Sequence, residues 1–128
     1  MITLADYWMG RDVQYASELT DEIIGNAMRT IEKANSLLGE FGQTRTVTSG
    51  WRPVAVNSST PNAAARSKHT TGQAVDISDP AGDLDEWCIS NPAALERIGL
   101  WQEHPSATKG WCHVQTLPPK SGRRVFYP

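Results

Sequence analysis

From Thr20 to Leu38 apolar side chains recur at Ile24, Ala27, Met28, Ile31, Ala34 and Leu38, the spacing that lays one stripe of a helix against a core. Thr20 is a suitable capping residue, Asp21 and Glu22 suit the positive end, and Gly39 or Gly42 ends the helix. Residues 1–18 show no sustained period and read as an irregular lead-in, with Tyr7, Trp8 and Met9 packing on the core. Downstream the pattern changes. Arg45–Ser49 is short, β-branched and followed by Gly50, which predicts a strand. Trp51–Lys68, with Pro53, Pro61 and the Ser58-Ser59-Thr60 run, predicts a long loop of the kind that often carries function. Gln73–Ser78 reads as a second strand. Asp83–Ser90 predicts a helix, and Asn91-Pro92 opens another that runs to about Ile98. Leu100–Glu103 and Gly110–Thr116 predict two antiparallel strands joined by a proline-containing loop, and Val125–Tyr127 adds an edge. A helix followed by strands interleaved with short helices predicts an α+β fold, a small antiparallel sheet with flanking helices. Residues 1–128 fit a single domain with one core.

Composition narrows the function. A net charge of -2 argues against a dedicated nucleic-acid binder, whose phosphate contacts need a basic surface, and Arg123-Arg124 is too short a run to change that. Those two arginines read as a solvated edge or a local ion pair. No stretch is apolar enough to span a membrane, and Met1-Ile2-Thr3-Leu4-Ala5-Asp6 lacks the basic-then-apolar pattern of a secretory leader, so none is expected. Cys88 and Cys112 are too few for a disulfide framework and are expected to be buried thiols. Five tryptophans in so short a chain suggest a compact core and a platform beside a cleft. A monomer is expected.

Ser67 to Asp76 is the stretch richest in chemistry. A catalytic zinc takes about three protein ligands, nitrogen or oxygen, converging at about 2 Å. Gly72 permits a sharp turn between His69 and the strand bearing Asp76, and alternation turns Val75 and Ile77 to one face and Asp76 to the other. A third ligand must come from elsewhere. His113 offers it, because Cys112 and Val114 share the core face while Trp111, His113 and Gln115 share the other. On these residues alone the plainer alternative, hydrogen-bonded histidines without a metal, stands beside the metal site. A His/Asp/His set suits zinc better than iron or copper.

The run Ser67, His69, Gly72, Ala74, Asp76, followed by Trp111 and His113 and preceded by Ser49-Gly50-Trp51-Arg52, resembles the zinc D-Ala-D-Ala carboxypeptidase family. That family includes phage L-alanyl-D-glutamate endopeptidases and shares its fold with the hedgehog signalling domain. The likeness covers roughly residues 45–116, and the ending Ser121 to Pro128 is similar to compact phage and prophage forms. The resemblance implies that one zinc ion per chain is held by His69, Asp76 and His113, with a fourth position for water. It implies that Arg52 binds or polarises a substrate carbonyl or carboxylate, and that Ser67 contacts substrate or orients a ligand. Trp111 would line the substrate cleft. Many members carry an acid two or three positions before the last histidine. Here Trp111 and Gly110 stand there, so Glu103, on the strand paired with that of His113, is the candidate general base, with His104 as runner-up. The implied activity is hydrolysis of a peptidoglycan stem peptide by a protein made in the bacterial cytoplasm. It would act on the wall after phage release or from within a virion. The rival is a catalytically silent, zinc-stabilised peptidoglycan-binding or virion module.

Overall fold

The computed structural model describes residues 1–64 and 66–128. Five strands form one sheet: β1 (Val47–Ser49), β2 (Ala74–Asp79), β3 (Trp101–Glu103), β4 (Gly110–Gln115) and β5 (Val125–Phe126). Their spatial order is β1-β2-β4-β3-β5, and every pairing is antiparallel except β3 with β5. The helices are α1 (Leu4–Trp8), α2 (Arg11–Gln14), α3 (Asp21–Phe41), α4 (Val54–Ser59), α5 (Asp83–Ser90) and α6 (Pro92–Ile98). The α+β reading therefore holds, with strand ends moved by one or two residues.

The long helix α3 starts as expected, with the Thr20 side chain accepting from the Ile23 amide, and it is Gly42, in a left-handed conformation, that ends it. Its buried stripe differs from the apolar one. Asn26, Thr30 and Leu37 are buried while Met28 faces solvent. The two polar residues turn inward because they have partners there: Asn26 Nδ2 donates to the Thr71 carbonyl at 3.0 Å and Thr30 Oγ1 to the Gly72 carbonyl at 2.7 Å. Hydrogen bonding thus redirects the stripe and clamps the turn that carries His69.

Residues 1–18 are not irregular. A capping box between Thr3 and Asp6 starts α1, and Met9 and Gly10, both left-handed, separate it from α2. Such short helices present too few turns for a period to show. Tyr7 and Trp8 pack on the core, but the left-handed Met9 is 42% exposed and does not. The expected loop Trp51–Lys68 likewise contains a short helix, α4, entered from Pro53.

The core lies on one face of the sheet. Val75 and Ile77 of β2 and Cys112 and Val114 of β4 meet Ala27, Ile31 and Ala34 of α3, Leu84 and Cys88 of α5 and Leu95 of α6. Cys88 and Cys112 are free, buried thiols. With helices on that face, the other face of β2 and β4 is left for chemistry. No helix among the described residues is long and apolar enough to cross a membrane.

Candidate metal centre

Strand register puts the polar residues in one row. Ser49 of β1 is the partner of Asp76 in β2, and Asp76 is the partner of His113 in β4. On β3, Trp101 pairs with Gln115 and Gln102 with Val114, so the next step sets Glu103 opposite His113; Glu103 in turn pairs with Phe126 of β5. Because side chains alternate, all five belong to the face away from the helices. The row runs across the sheet as Ser49, Asp76, His113, Glu103, Phe126.

His69 reaches this row from the turn before β2. Gly72, at φ 76°, makes that turn, and a side chain there would press on the Ile23 carbonyl of α3. The Ser67 hydroxyl accepts from the His69 amide at 3.2 Å, so Ser67 helps hold the turn that carries His69. His69 and His113 meet edge to face, with ring centroids 5.3 Å apart. The candidate ligand atoms of His69, Asp76 and His113 all lie within 4.8 Å of one another, and all three residues are buried.

Their hydrogen bonds decide which atoms face the centre. His69 Nδ1 lies 2.8 Å from the Gly50 carbonyl, which can only accept, so Nδ1 carries the proton and Nε2 the lone pair. That Nε2 is buried with no hydrogen-bond partner and sits 3.3 Å from Asp76 Oδ1. Gln115 Nε2 donates to the Leu117 carbonyl, which turns Gln115 Oε1 to His113 Nε2 at 2.9 Å. His113 Nε2 is therefore the donor, and Nδ1 points at Asp76 Oδ1, 2.9 Å away. Two ring nitrogens and a carboxylate oxygen converge on one point with no donor of their own to share, an arrangement that calls for a proton or a cation. The set is the N, O, N chemistry that zinc accepts, and each imidazole is oriented through its other nitrogen in the way metal-binding histidines are.

The charges agree with this geometry. Burial would raise the Asp76 carboxyl, but the two histidines outweigh it with charge and hydrogen bonds and hold it well below the usual carboxylate range. Burial pulls His69 below its ordinary value against the attraction of Asp76, keeping it neutral and ready to ligate. Burial also acts to lower His113. There the hydrogen bond and charge of Asp76, with Gln115 and Glu103, win and raise it. Zinc must displace the proton that this environment favours. Its affinity should therefore rise with pH across and above the ordinary histidine range, with proton release on binding. Titration calorimetry in buffers of different ionisation enthalpy checks this; pH-independent binding with no proton release would contradict it.

The remaining expected residues fall around the row. Arg52 Nη2 donates to Asp76 Oδ2 at 3.3 Å, Nε to Ser49 Oγ at 3.0 Å, and Nη1 reaches Asn57 Oδ1 at 3.5 Å. Its guanidinium first of all holds the Asp76 carboxylate. Trp111 is half-buried on the same face, opposite Ser78. Glu103 is half-buried; burial raises its carboxyl, the charge of His113 opposes this, and Asp76 and Asp85 add to the rise. His104 is committed elsewhere: its Nδ1 pairs with Ser106 and its ring stacks on Tyr127 at 4.4 Å. Sequence reasoning missed Gln115 as the group orienting His113, although strand alternation had put both on one face. It also missed the Gly50 carbonyl, which no side chain announces.

Gly50 has a steric reason to be glycine. A β-carbon there would run into the Tyr7 carbonyl and ring, while the Trp51 amide donates to that same carbonyl at 3.3 Å. Gly50→Ala must push β1 away from α1 and carry the carbonyl that orients His69 with it. Zinc affinity should fall about 10–100-fold, as for other losses of an orienting partner, and the thermal midpoint should drop. Unchanged zinc affinity in a folded Gly50→Ala protein would show that the carbonyl does not orient His69.

The sequence profile of the family described as Peptidase M15 matches residues 9–114. No curated protein and no solved structure matches the chain significantly.

Proposed function

This chain belongs to the peptidase M15 family, a family of zinc metallopeptidases, and from that premise we propose that it hydrolyses an amide bond in the stem peptides of bacterial peptidoglycan. The observation that carries the proposal is the buried, unpartnered Nε2 of His69 converging with Asp76 and His113 one strand from a half-buried glutamate. His69 Nε2, an Asp76 carboxylate oxygen and His113 Nδ1 would hold one zinc ion. Bound there, zinc would polarise the scissile carbonyl and acidify water.

The protein's own groups do the rest. Glu103 takes a proton from the attacking water and delivers it to the departing amine nitrogen, a task suited to a carboxyl raised by burial. Arg52 keeps the Asp76 carboxylate in place and contacts the substrate carbonyl beside it. Gln115 keeps His113 in the tautomer that presents Nδ1. Trp111 offers an apolar wall to the peptide. A protein of this kind suits a phage or prophage that opens the wall during entry or release, a setting supported by the resemblance of the C-terminal end to compact phage forms.

The test is digestion of purified peptidoglycan by the zinc-loaded protein, with mass spectrometry of the products. New free amine and carboxyl ends at a single stem-peptide bond are expected, and the fragment masses name that bond. Intact peptidoglycan in the presence of stoichiometric zinc would support instead a silent binding module.

A further inference from the structure

The metal row has a second charged feature beside it. Trp101 lies on the same face as Glu103, two residues earlier in β3, and is the partner of Gln115. Arg124 stands two residues before Phe126, whose ring meets the edge of His113 at 6.3 Å. The Arg124 guanidinium lies over the Trp101 ring at 4.2 Å, and its Nη1 donates to the Leu100 carbonyl at 2.9 Å. The solvated edge or ion pair expected for Arg124 is thus corrected: its partners are an aromatic face and a backbone carbonyl. Among the described residues no carboxylate pairs with it, whereas Arg45, Arg52 and Arg97 each have one.

We propose that Arg124, braced on Trp101, is a subsite for a substrate carboxylate lying two or three residues from the scissile bond. The subsite rests on the peptidase reading above. Stacking and one backbone bond fix the plane of the guanidinium but use only one of its five donors, leaving a pair for bidentate binding of a carboxylate. Arg52, nearer the metal ligands, is already matched by Asp76. One strand spacing and two residues along β3 separate Trp101 from His113, on the order of 8–10 Å, the span of two or three residues of extended peptide. The two ends of this face therefore differ. Beyond Gln115 it carries the Arg124–Trp101 stack; beyond His113 in the other direction stands Trp111. This asymmetry gives the bound peptide a direction.

The experiment uses synthetic stem peptides that differ only in bearing a carboxylate or a carboxamide two or three residues from the cut bond. Cleavage is followed with zinc-loaded wild type, Arg124→Gln and Arg124→Lys. Affinity for the same peptides is measured on zinc-loaded Glu103→Gln with and without Arg124→Gln. Wild type should prefer the carboxylate by about tenfold or more in kcat/KM, mostly through KM, as expected for a charge-assisted pair. Arg124→Gln should abolish that preference, bringing kcat/KM for the carboxylate peptide down to that for the amidated one. Arg124→Lys should keep only part of it and carries the test if Arg124→Gln does not fold. No carboxylate preference in wild type, or an undiminished preference in the variants, would overturn the subsite. If wild type cleaves neither peptide, the peptidase reading fails; the affinity arm still judges Arg124, and equal binding of both peptides there overturns the subsite.

Discussion

Glu103→Gln should lower peptide hydrolysis by about 10²–10⁴-fold while leaving zinc content and thermal midpoint unchanged. Glutamine keeps the shape of the side chain but cannot carry a proton. The register is what singles out this residue: Glu103 is one strand from His113 and on its face, and Asp76, the other carboxylate in the row, is engaged by two histidines and an arginine. Burial raises the Glu103 carboxyl, so it takes up a proton at a higher pH than an exposed glutamate would. As a base it must be ionised, so kcat/KM should fall as pH drops, and with zinc kept saturating the Glu103 share of that acid limb should be missing in Glu103→Gln. The neighbouring His104 gives the contrast. It faces Ser106 and Tyr127, and His104→Ala should retain most activity. Kinetics of the two variants on one peptide decide between them. A normal rate in Glu103→Gln with a large loss in His104→Ala would transfer the role to the histidine.

Asp76→Ala should empty the centre, with zinc affinity down by more than about 100-fold, and should also destabilise the metal-free protein. The carboxylate is the common partner of His69, His113 and Arg52, at 3.3, 2.9 and 3.3 Å. Removing it strands a largely buried guanidinium. Breaking one side of a buried pair costs about 3–5 kcal/mol, and the 13% exposure of Arg52 brings the expected loss toward the lower end, about 3 kcal/mol. The pH dependence follows from the depressed acid. Its stabilising effect is complete above the ordinary aspartate value and is lost as pH falls through the lowered folded one. The gap in stability between wild type and Asp76→Ala should therefore be full at neutral pH and close only in strong acid. Chemical denaturation of the metal-free proteins at several pH values measures it. Equal stabilities at pH 7 would mean that Arg52 does not depend on Asp76.

What could be read from the sequence followed what is local. Val75 and Ile77 against Asp76, and Cys112 and Val114 against His113, marked two strands with one chemical face, and the structure pairs those strands with Asp76 opposite His113. Glu103 is a candidate through the family resemblance, which calls for an acid near the last histidine, and through a strand expected to pair with that of His113. Other features depend on distant parts of the chain. Asn26 and Thr30 look like surface residues of α3 until the carbonyls of Thr71 and Gly72 come within reach. The tautomer of His69 is set by a backbone carbonyl, and that of His113 by a glutamine that is itself held by Leu117. The pairing of Arg124 with Trp101 arises because β5 returns parallel to β3, a connection no local pattern encodes.

This chain should bind one zinc ion through His69 Nε2, His113 Nδ1 and an Asp76 carboxylate oxygen. Crystals of the zinc-loaded protein, with anomalous diffraction recorded on both sides of the zinc absorption edge, test it directly. A single strong peak is expected about 2.0–2.2 Å from His69 Nε2, His113 Nδ1 and an Asp76 carboxylate oxygen. A protein that takes up no zinc, or a peak bonded to other side chains, would contradict it.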